Sequence, residues 1–406
     1  MSDHHLPQLP PSLNFDDTEV AFAHFSDWSL FKAYALFKTM HRPTLVKLGT
    51  QLTTWAVNWY MPISPLLKRS IYEQFCGGET LAETATITNK LAQYNLNTIL
   101  DYGVEAKEKE KEFDKTVQQL LRTIRFAHAR NDVPAVSCKL TGLAKFSLLE
   151  AKHAGGSLSA KQQKAWERLR QRILTITQAA YDAEVSIYFD AEESWIQQPK
   201  DDLVNEMMAQ FNREKPIVYN TFQMYRHDRL AYLKTCHADA RAKGYILGAK
   251  LVRGAYMEKE RDRAERLGYE SPIQPDKATC DTDFNAALQY CIDNIGGIAF
   301  CNASHNEESA LYLCQLLSEH DIAPDHQHVW FAQLYGMGDH ISYNLANAGY
   351  NVAKYLPYGP VREVIPYLMR RAQENTSVAG QTGRELGLIS DEIRRRKAKT
   401  WWSRWV

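Results

Sequence analysis

An α/β barrel of eight strand–helix units, preceded by a helical region, is the fold this sequence predicts, on three observations. From residue 98 onward, short β-rich runs alternate with longer helical stretches, which implies parallel pairing through right-handed crossovers. Eight such units over about 280 residues suit a closed barrel. Polar and ionisable side chains collect at the C-terminal ends of the runs, where a barrel builds its site. A doubly wound sheet is the competing fold, but its dinucleotide version needs a Gly-rich turn, and Gly336-Met337-Gly338 lacks the third glycine.

The elements follow in order. Residues 1 to about 15 are Pro-rich and predicted to be loose. Residues 16–95 read as helices. Phe22, Phe25, Trp28, Phe31, Tyr34, Ala35 and Phe37 form a bulky face at helical spacing, resumed at Trp55, Trp59 and Tyr60 and punctuated by Pro43, Pro62 and Gly77-Gly78. Such a stripe is expected to pack, either within the chain or on a second subunit. The predicted strands are Thr98–Val104, Ala135–Leu140, Val185–Asp190, Ile217–Phe222, Ile246–Val252, Gly297–Asn302, His328–Leu334 and Val352–Leu356. Helices are predicted between them at Lys161–Glu184, Leu203–Asn212, Arg226–Lys243, Thr282–Asn294 and Glu307–His320. After the last strand, Val361, Ile365, Leu368 and Ala372 define an apolar helix face, and Tyr367, Arg370, Arg371 and Glu374 the opposite one. Pro366 should bend this helix or mark its first turn. We divide the chain into a helical region at 1–95, a catalytic barrel at 96–380 and a basic, Trp-rich helical tail at 381–406.

Composition narrows the function. The chain has 406 residues, 48 basic and 48 acidic, so its bulk charge does not point to nucleic acid. Seven scattered cysteines without a CxxC suit a reducing, intracellular compartment. No run is long and apolar enough to span a bilayer, and the first residues carry neither a secretory nor a mitochondrial signal. A cytoplasmic-side location is expected, with peripheral contact to the inner membrane. Metal-ligand spacing and a Ser- or Cys-centred triad are not evident.

The predicted strand ends carry Asp101 and Glu105, Lys139, Asp190, Glu192 and Glu193, Gln223, Lys250, Arg253 and Tyr256, Ser304, His305 and Asn306, Gln333, Tyr335 and Tyr355. Buried charges need partners, so this many ionisable ends converging on one mouth point to an active site. Its mixture of cations, carboxylates and flat tyrosines suits an anionic small substrate beside a planar cofactor.

At Ala249–Arg261 the run AKLVRGAYMEKER resembles the proline dehydrogenase family. CKLTGL at 138–143, FDAEES at 189–194, FQMY at 222–225, NASHN at 302–306, QLYGM at 333–337, and YLPYG followed by YLMRRAQEN between Tyr355 and Asn375 extend the resemblance in the family's order. The segment GYESPIQPDKATCDTDFNAAL looks like the monofunctional, eukaryote-like branch, without an aldehyde dehydrogenase module. The resemblance implies a distorted (βα)8, TIM-like barrel holding noncovalent FAD. It also implies oxidation of L-proline to Δ1-pyrroline-5-carboxylate by hydride transfer to flavin N5, with electrons passed to a quinone.

By the same resemblance, Arg370 and Arg371 bind the proline carboxylate and Glu374 orients them. Lys139, Asp190 and Lys250 are the catalytic set. Ala191, Gln223, Lys250, Val252, Arg253, Gly254, Ala255, Ser304, His305 and Asn306 hold FAD. Tyr256, Leu334 and Tyr355 wall the substrate. Lys250 stands where many bacterial members have Arg, and Ser304 where Thr is frequent. Relatives that oxidise hydroxyproline carry a smaller residue at position 355, so Tyr355 favours proline. Hydroxyproline dehydrogenase is the nearest alternative, a Schiff-base lyase using Lys139 or Lys250 a remoter one, and a scaffold docking partners through its aromatic helices a third. Two further expectations are a gate formed by Glu105 with Arg371, and an interfacial membrane contact through the tail IRRRKAKTWWSRWV.

Overall fold

A computed structural model describes residues 13–42, 44–50, 67–103, 107–377 and 381–402; side chains at 373–377, 381–382 and 400–402 fall outside that description. All eight predicted strands form: β1 (Asn97–Tyr102), β2 (Ala135–Cys138), β3 (Ser186–Phe189), β4 (Val218–Gln223), β5 (Leu247–Val252), β6 (Ile298–Ala303), β7 (Val329–Leu334) and β8 (Val352–Tyr358). They close into a barrel in sequence order, and the pairings from β1 through β7 are parallel. The distinct apolar runs in the sequence have a physical cause. Strands of a parallel barrel are covered on both faces, so even β4, VYNTFQ, is buried throughout. Gly248 marks a close approach of β5 to β4: a Cβ there would sit 2.1 Å from the carbonyl oxygen of Val218.

Two predicted helices form with small shifts in their ends, Ala160–Asp182 and Glu307–Glu319, and the one expected at Thr282–Asn294 starts earlier, at Lys277. The helix expected at Leu203–Asn212 starts earlier, at Ser194, and runs through Pro199 to Phe211. The one expected from Arg226 starts at Arg229, because Arg226 is bridged to Ile273.

Two compact units emerge, one containing Thr98–Ala332 and the other Pro10–Asn97 with Gln333–Val406. In the second unit, Phe22, Phe37, Tyr72 and Phe75 share a core with Val361, Val364, Leu368, Leu388 and Ile389. The aromatic stripe does not act as one face. Helix Asp27–Met40 buries Leu30, Ala33, Phe37 and Met40, while Trp28 and Phe31 stand exposed on its other side. The reason is the 3.6-residue period, which puts positions 30, 33, 37 and 40 on one stripe and 28 and 31 on another. Trp55, Trp59 and Tyr60 lie outside the described residues.

The helix Val361–Ser377 is continuous, and Pro366 is its sixth residue, so it does not mark the first turn. The C-terminal helix Gln381–Trp402 packs through Leu388 and Ile389. Its Glu392 is fully buried and accepts hydrogen bonds from Thr18, Arg395 and Arg396.

Candidate active site

Within the Thr98–Ala332 unit, four strands bring ionisable groups together. Asp101 lies on β1 and accepts a hydrogen bond from Ser137 Oγ on β2 at 2.8 Å. Lys139 follows β2 directly, and its Nζ lies 3.2 Å from Asp101 Oδ2 and 3.5 Å from Asp190 Oδ2. Asp190 follows β3; its backbone N–H donates to the Cys138 carbonyl, which fixes where its side chain starts. Lys250, in the middle of β5, donates to Asp190 Oδ1 at 2.5 Å. Asp101, Asp190 and Lys250 are all buried. The predicted catalytic residues Lys139, Asp190 and Lys250 are therefore one network, and both lysines are charge-paired. Neither is an isolated cation, because an unpaired buried ammonium would carry a large desolvation cost.

A third lysine joins them. Lys200, on the helix Ser194–Phe211, is buried and donates its Nζ to the backbone carbonyl of Asp190. Burial pulls its pKa down to about 8, against the opposing pull of Asp201, Glu192 and Asp190. Sequence reasoning missed Lys200, since a lysine inside a polar helical run looks solvated. Asp101 was visible as a strand-end residue, but its pairing with Lys139 depends on the barrel register.

The residues expected to hold a cofactor lie along the ends of β4, β5 and β6. Gln223 closes β4 and donates Nε2 to the Glu192 carbonyl at 3.0 Å, while its buried Oε1 has no hydrogen-bond partner among the described residues. Asn302 on β6 is buried with both side-chain amide atoms in the same condition. Arg253 follows β5. It donates to Asp281 Oδ1 at 2.7 Å, Ser304 Oγ at 2.6 Å and Ser309 Oγ at 3.0 Å, and stacks over Phe284. Its guanidinium is thus positioned from three sides, and Asp281 stays ionised because Lys277 and Arg253 outweigh the upward push of burial. Gly254 adopts φ 140°, and a Cβ there would lie 2.5 Å from the Tyr225 ring, so only glycine fits. Asn306 caps the helix Glu307–Glu319 by accepting from Ser309 N–H at 2.8 Å. His305 is half-buried beside it, and Ala191, Val252 and Ala255 occupy the loops and strand end between these groups. Tyr256 stands at the N-terminal boundary of the next helix, Met257–Leu267. Orphaned buried amides beside a glycine-only loop fit a flat, heteroatom-rich ligand such as a flavin.

In the second unit, Arg371 is buried, its guanidinium 5.0 Å from the centre of the Tyr367 ring, one helical turn away. Tyr367 is buried too, so this side of the helix is not a solvated face. Arg370 is half-buried. Tyr355 on β8 is buried, and its carbonyl accepts from the Tyr335 N–H at 2.9 Å; Leu334 closes β7. The Glu374 side chain and residues 104–106, including Glu105, lie outside the described residues.

A family model described as Proline dehydrogenase matches residues 84–384. The chain belongs to the proline dehydrogenase family. It is similar to Proline dehydrogenase 1, mitochondrial, of Dictyostelium discoideum, with 34% identity over 82% of this chain and 66% of that protein. It is also similar to the Hydroxyproline dehydrogenase of Xenopus laevis, with 31% identity over 96% of this chain and 95% of the relative. Among solved structures, it superposes on proline utilization A (PutA) from Bdellovibrio bacteriovorus with a TM-score of 0.70. That match has 21% identity and covers 90% of this chain and 38% of the other, a likeness of fold.

Proposed function

We propose that this chain oxidises L-proline to Δ1-pyrroline-5-carboxylate in proline catabolism, with noncovalent FAD as its cofactor and a quinone as the final electron acceptor. The observation that carries the reading is the Asp101–Lys139–Asp190–Lys250 network, held by β1, the ends of β2 and β3 and the middle of β5, in a proline dehydrogenase family member. Residues 96–380 are the catalytic barrel in this proposal, flanked by the segments 1–95 and 381–406.

Bound FAD supplies the hydride acceptor. Gln223, Arg253, Ser304, His305 and Asn306 are assigned to hold it by hydrogen bonds, with Ala191, Lys250, Val252, Gly254 and Ala255 giving close contact. Arg253 arrives already oriented by Asp281, so little side-chain entropy is lost on binding. Arg370 and Arg371 are assigned to the proline carboxylate, which two guanidiniums can grip in bidentate fashion, with Glu374 as their orienting partner. Tyr256, Leu334 and Tyr355 supply apolar walls. Proline's amine must be neutral before its C5 hydride leaves. The Lys139 ammonium disfavours a second positive charge beside it, and Asp190 holds Lys139 and Lys250 in place.

The test is the visible spectrum of the purified protein. Flavin bands that bleach on adding L-proline are expected; a colourless protein that retains substrate after borohydride reduction would overturn the assignment in favour of Schiff-base chemistry. The likeness to a hydroxyproline dehydrogenase supports a second reading, oxidation of hydroxyproline. Tyr355 argues for proline, and a higher kcat/KM for hydroxyproline than for proline would reverse that choice.

A membrane contact belongs to the same proposal. It is assigned to the C-terminal tail, whose Trp side chains lie outside the described residues. Arg395 and Lys399 pair with Glu19, and Arg396 pairs with Asp27 and Glu392.

A further inference from the structure

Helix Ser194–Phe211 carries an apolar stripe at Ile196, Leu203, Met207 and Phe211, all buried. The 3.6-residue period places position 200 in the same stripe, where an aliphatic side chain would be expected. Lys200 stands there instead, 1% exposed. Its Nζ donates to the Asp190 carbonyl, the one hydrogen bond it makes among the described residues. An ammonium has three N–H groups, so this arrangement satisfies one and costs stability for the other two. A lysine that costs stability where leucine would add it points to function.

The charged groups facing Lys200 come from three directions. Asp190 and Glu192 lie on the loop after β3, Asp201 on its own helix and Lys250 on β5. Asp201 is already satisfied, by Arg229 at 2.8 Å and by the side-chain amides of Gln197 and Asn220. Strand β4, VYNTFQ, brings no charged side chain. The helix Phe146–His153, packed alongside, adds Glu150, paired with Arg263 at 3.0 Å, together with Lys152 and His153. Helix Ala160–Asp182 adds Arg170, paired with Glu206. In formal charge, Asp101, Asp190 and Glu192 contribute three negatives, and Lys139 and Lys250 two positives. A charged Lys200 brings that set to neutrality; an uncharged one leaves it one negative in excess. Burial lowers the Lys200 pKa to about 8 despite the pull of Asp201, Glu192 and Asp190, and Lys250 adds to the fall.

We propose that Lys200 is a positioning residue for the oxidation of proline. Held against the Asp190 carbonyl, its ammonium cancels the surplus negative charge of the Asp101, Lys139, Asp190, Glu192 and Lys250 set, and so favours the neutral form of the substrate amine. When Lys200 loses its proton, the surplus returns and favours the charged, unreactive amine. This role rests on the proline-oxidation reading above.

The experiment compares the wild type with Lys200→Met, which keeps the side-chain length without the charge. Bleaching of the flavin by saturating proline is timed by stopped flow between about pH 6.5 and 9.5. Near pH 7 the variant should be about tenfold slower, the order expected of one unit charge in a weakly screening interior. Near pH 9.5 the wild-type lysine is itself neutral, and the two rates should converge to within about twofold. Urea unfolding is a second readout, independent of the reaction. Lys200 is more acidic in the folded chain than its ordinary 10.5, so between about 8 and 10.5 the unfolded state binds more protons. Wild-type stability should therefore rise relative to the variant across that window. Lys200→Leu, matched to the apolar stripe, should behave alike and replaces the methionine variant if that one fails to fold. A rate ratio that stays constant with pH marks a merely structural role and overturns the proposal, as does a stability difference that does not shift with pH. A wild-type flavin that proline does not bleach overturns the oxidation reading and this role with it, although the stability difference would still shift with pH.

Discussion

Glu385→Gln should stabilise this protein at alkaline pH. Glu385 lies on the C-terminal helix, 7% exposed, and its Oε1 accepts a hydrogen bond from the Gly338 N–H at 3.0 Å. Gly338 caps the helix Asp339–Asn347, where Asp339 pairs with Lys354 at 2.6 Å and approaches His24 at 3.5 Å. Burial raises the Glu385 pKa from 4.5 to about 7; Asp339 adds to the rise, while His340, Lys354 and the Gly338 N–H oppose it. The folded state thus favours the neutral acid. Ionisation costs nothing extra below the unfolded value of 4.5, costs progressively more up to about 7, and carries its full penalty above that. A rise of about 2.5 units corresponds to roughly 3 kcal/mol. Glutamine has the same shape, keeps an acceptor for Gly338 and cannot ionise. Urea unfolding of both proteins should show the variant more stable by up to about 3 kcal/mol near pH 8, with the difference vanishing near pH 4. A difference that does not change with pH, or a variant that is less stable near pH 8, would refute the reasoning.

Other consequences are as direct. Asp190→Ala should destabilise the fold by about 3–5 kcal/mol in urea titration, because it strands the buried Lys250 ammonium, and should abolish proline turnover. Gly254→Ala should cost roughly 1–3 kcal/mol and lower the flavin content of the purified protein, since the new methyl collides with the Tyr225 ring. Arg371→Ala should raise the KM for proline by about 10- to 100-fold in a dye-linked assay, the loss of one charge-assisted hydrogen-bonding group; an unchanged KM would remove Arg371 from the carboxylate site.

The sequence by itself determined the barrel and the candidate positions. Its strands are short, apolar and regularly spaced because a parallel barrel buries both faces of each strand, and that requirement is written locally. The motifs that place Lys139, Asp190, Lys250 and Arg371 are local as well. Partnership was decided only by tertiary structure. Lys139 meets Asp101 through a register between β1 and β2 separated by about a third of a hundred residues of chain, and sequence spacing carries no trace of that distance. Lys200 and Glu385 look like solvated helix residues until the helices dock and remove them from water. Trp28 and Phe31 look like core residues until the packed stripe proves to be the neighbouring one. Burial is set by what lies opposite a side chain, and for these residues the opposing group comes from a distant part of the chain or is absent among the described residues.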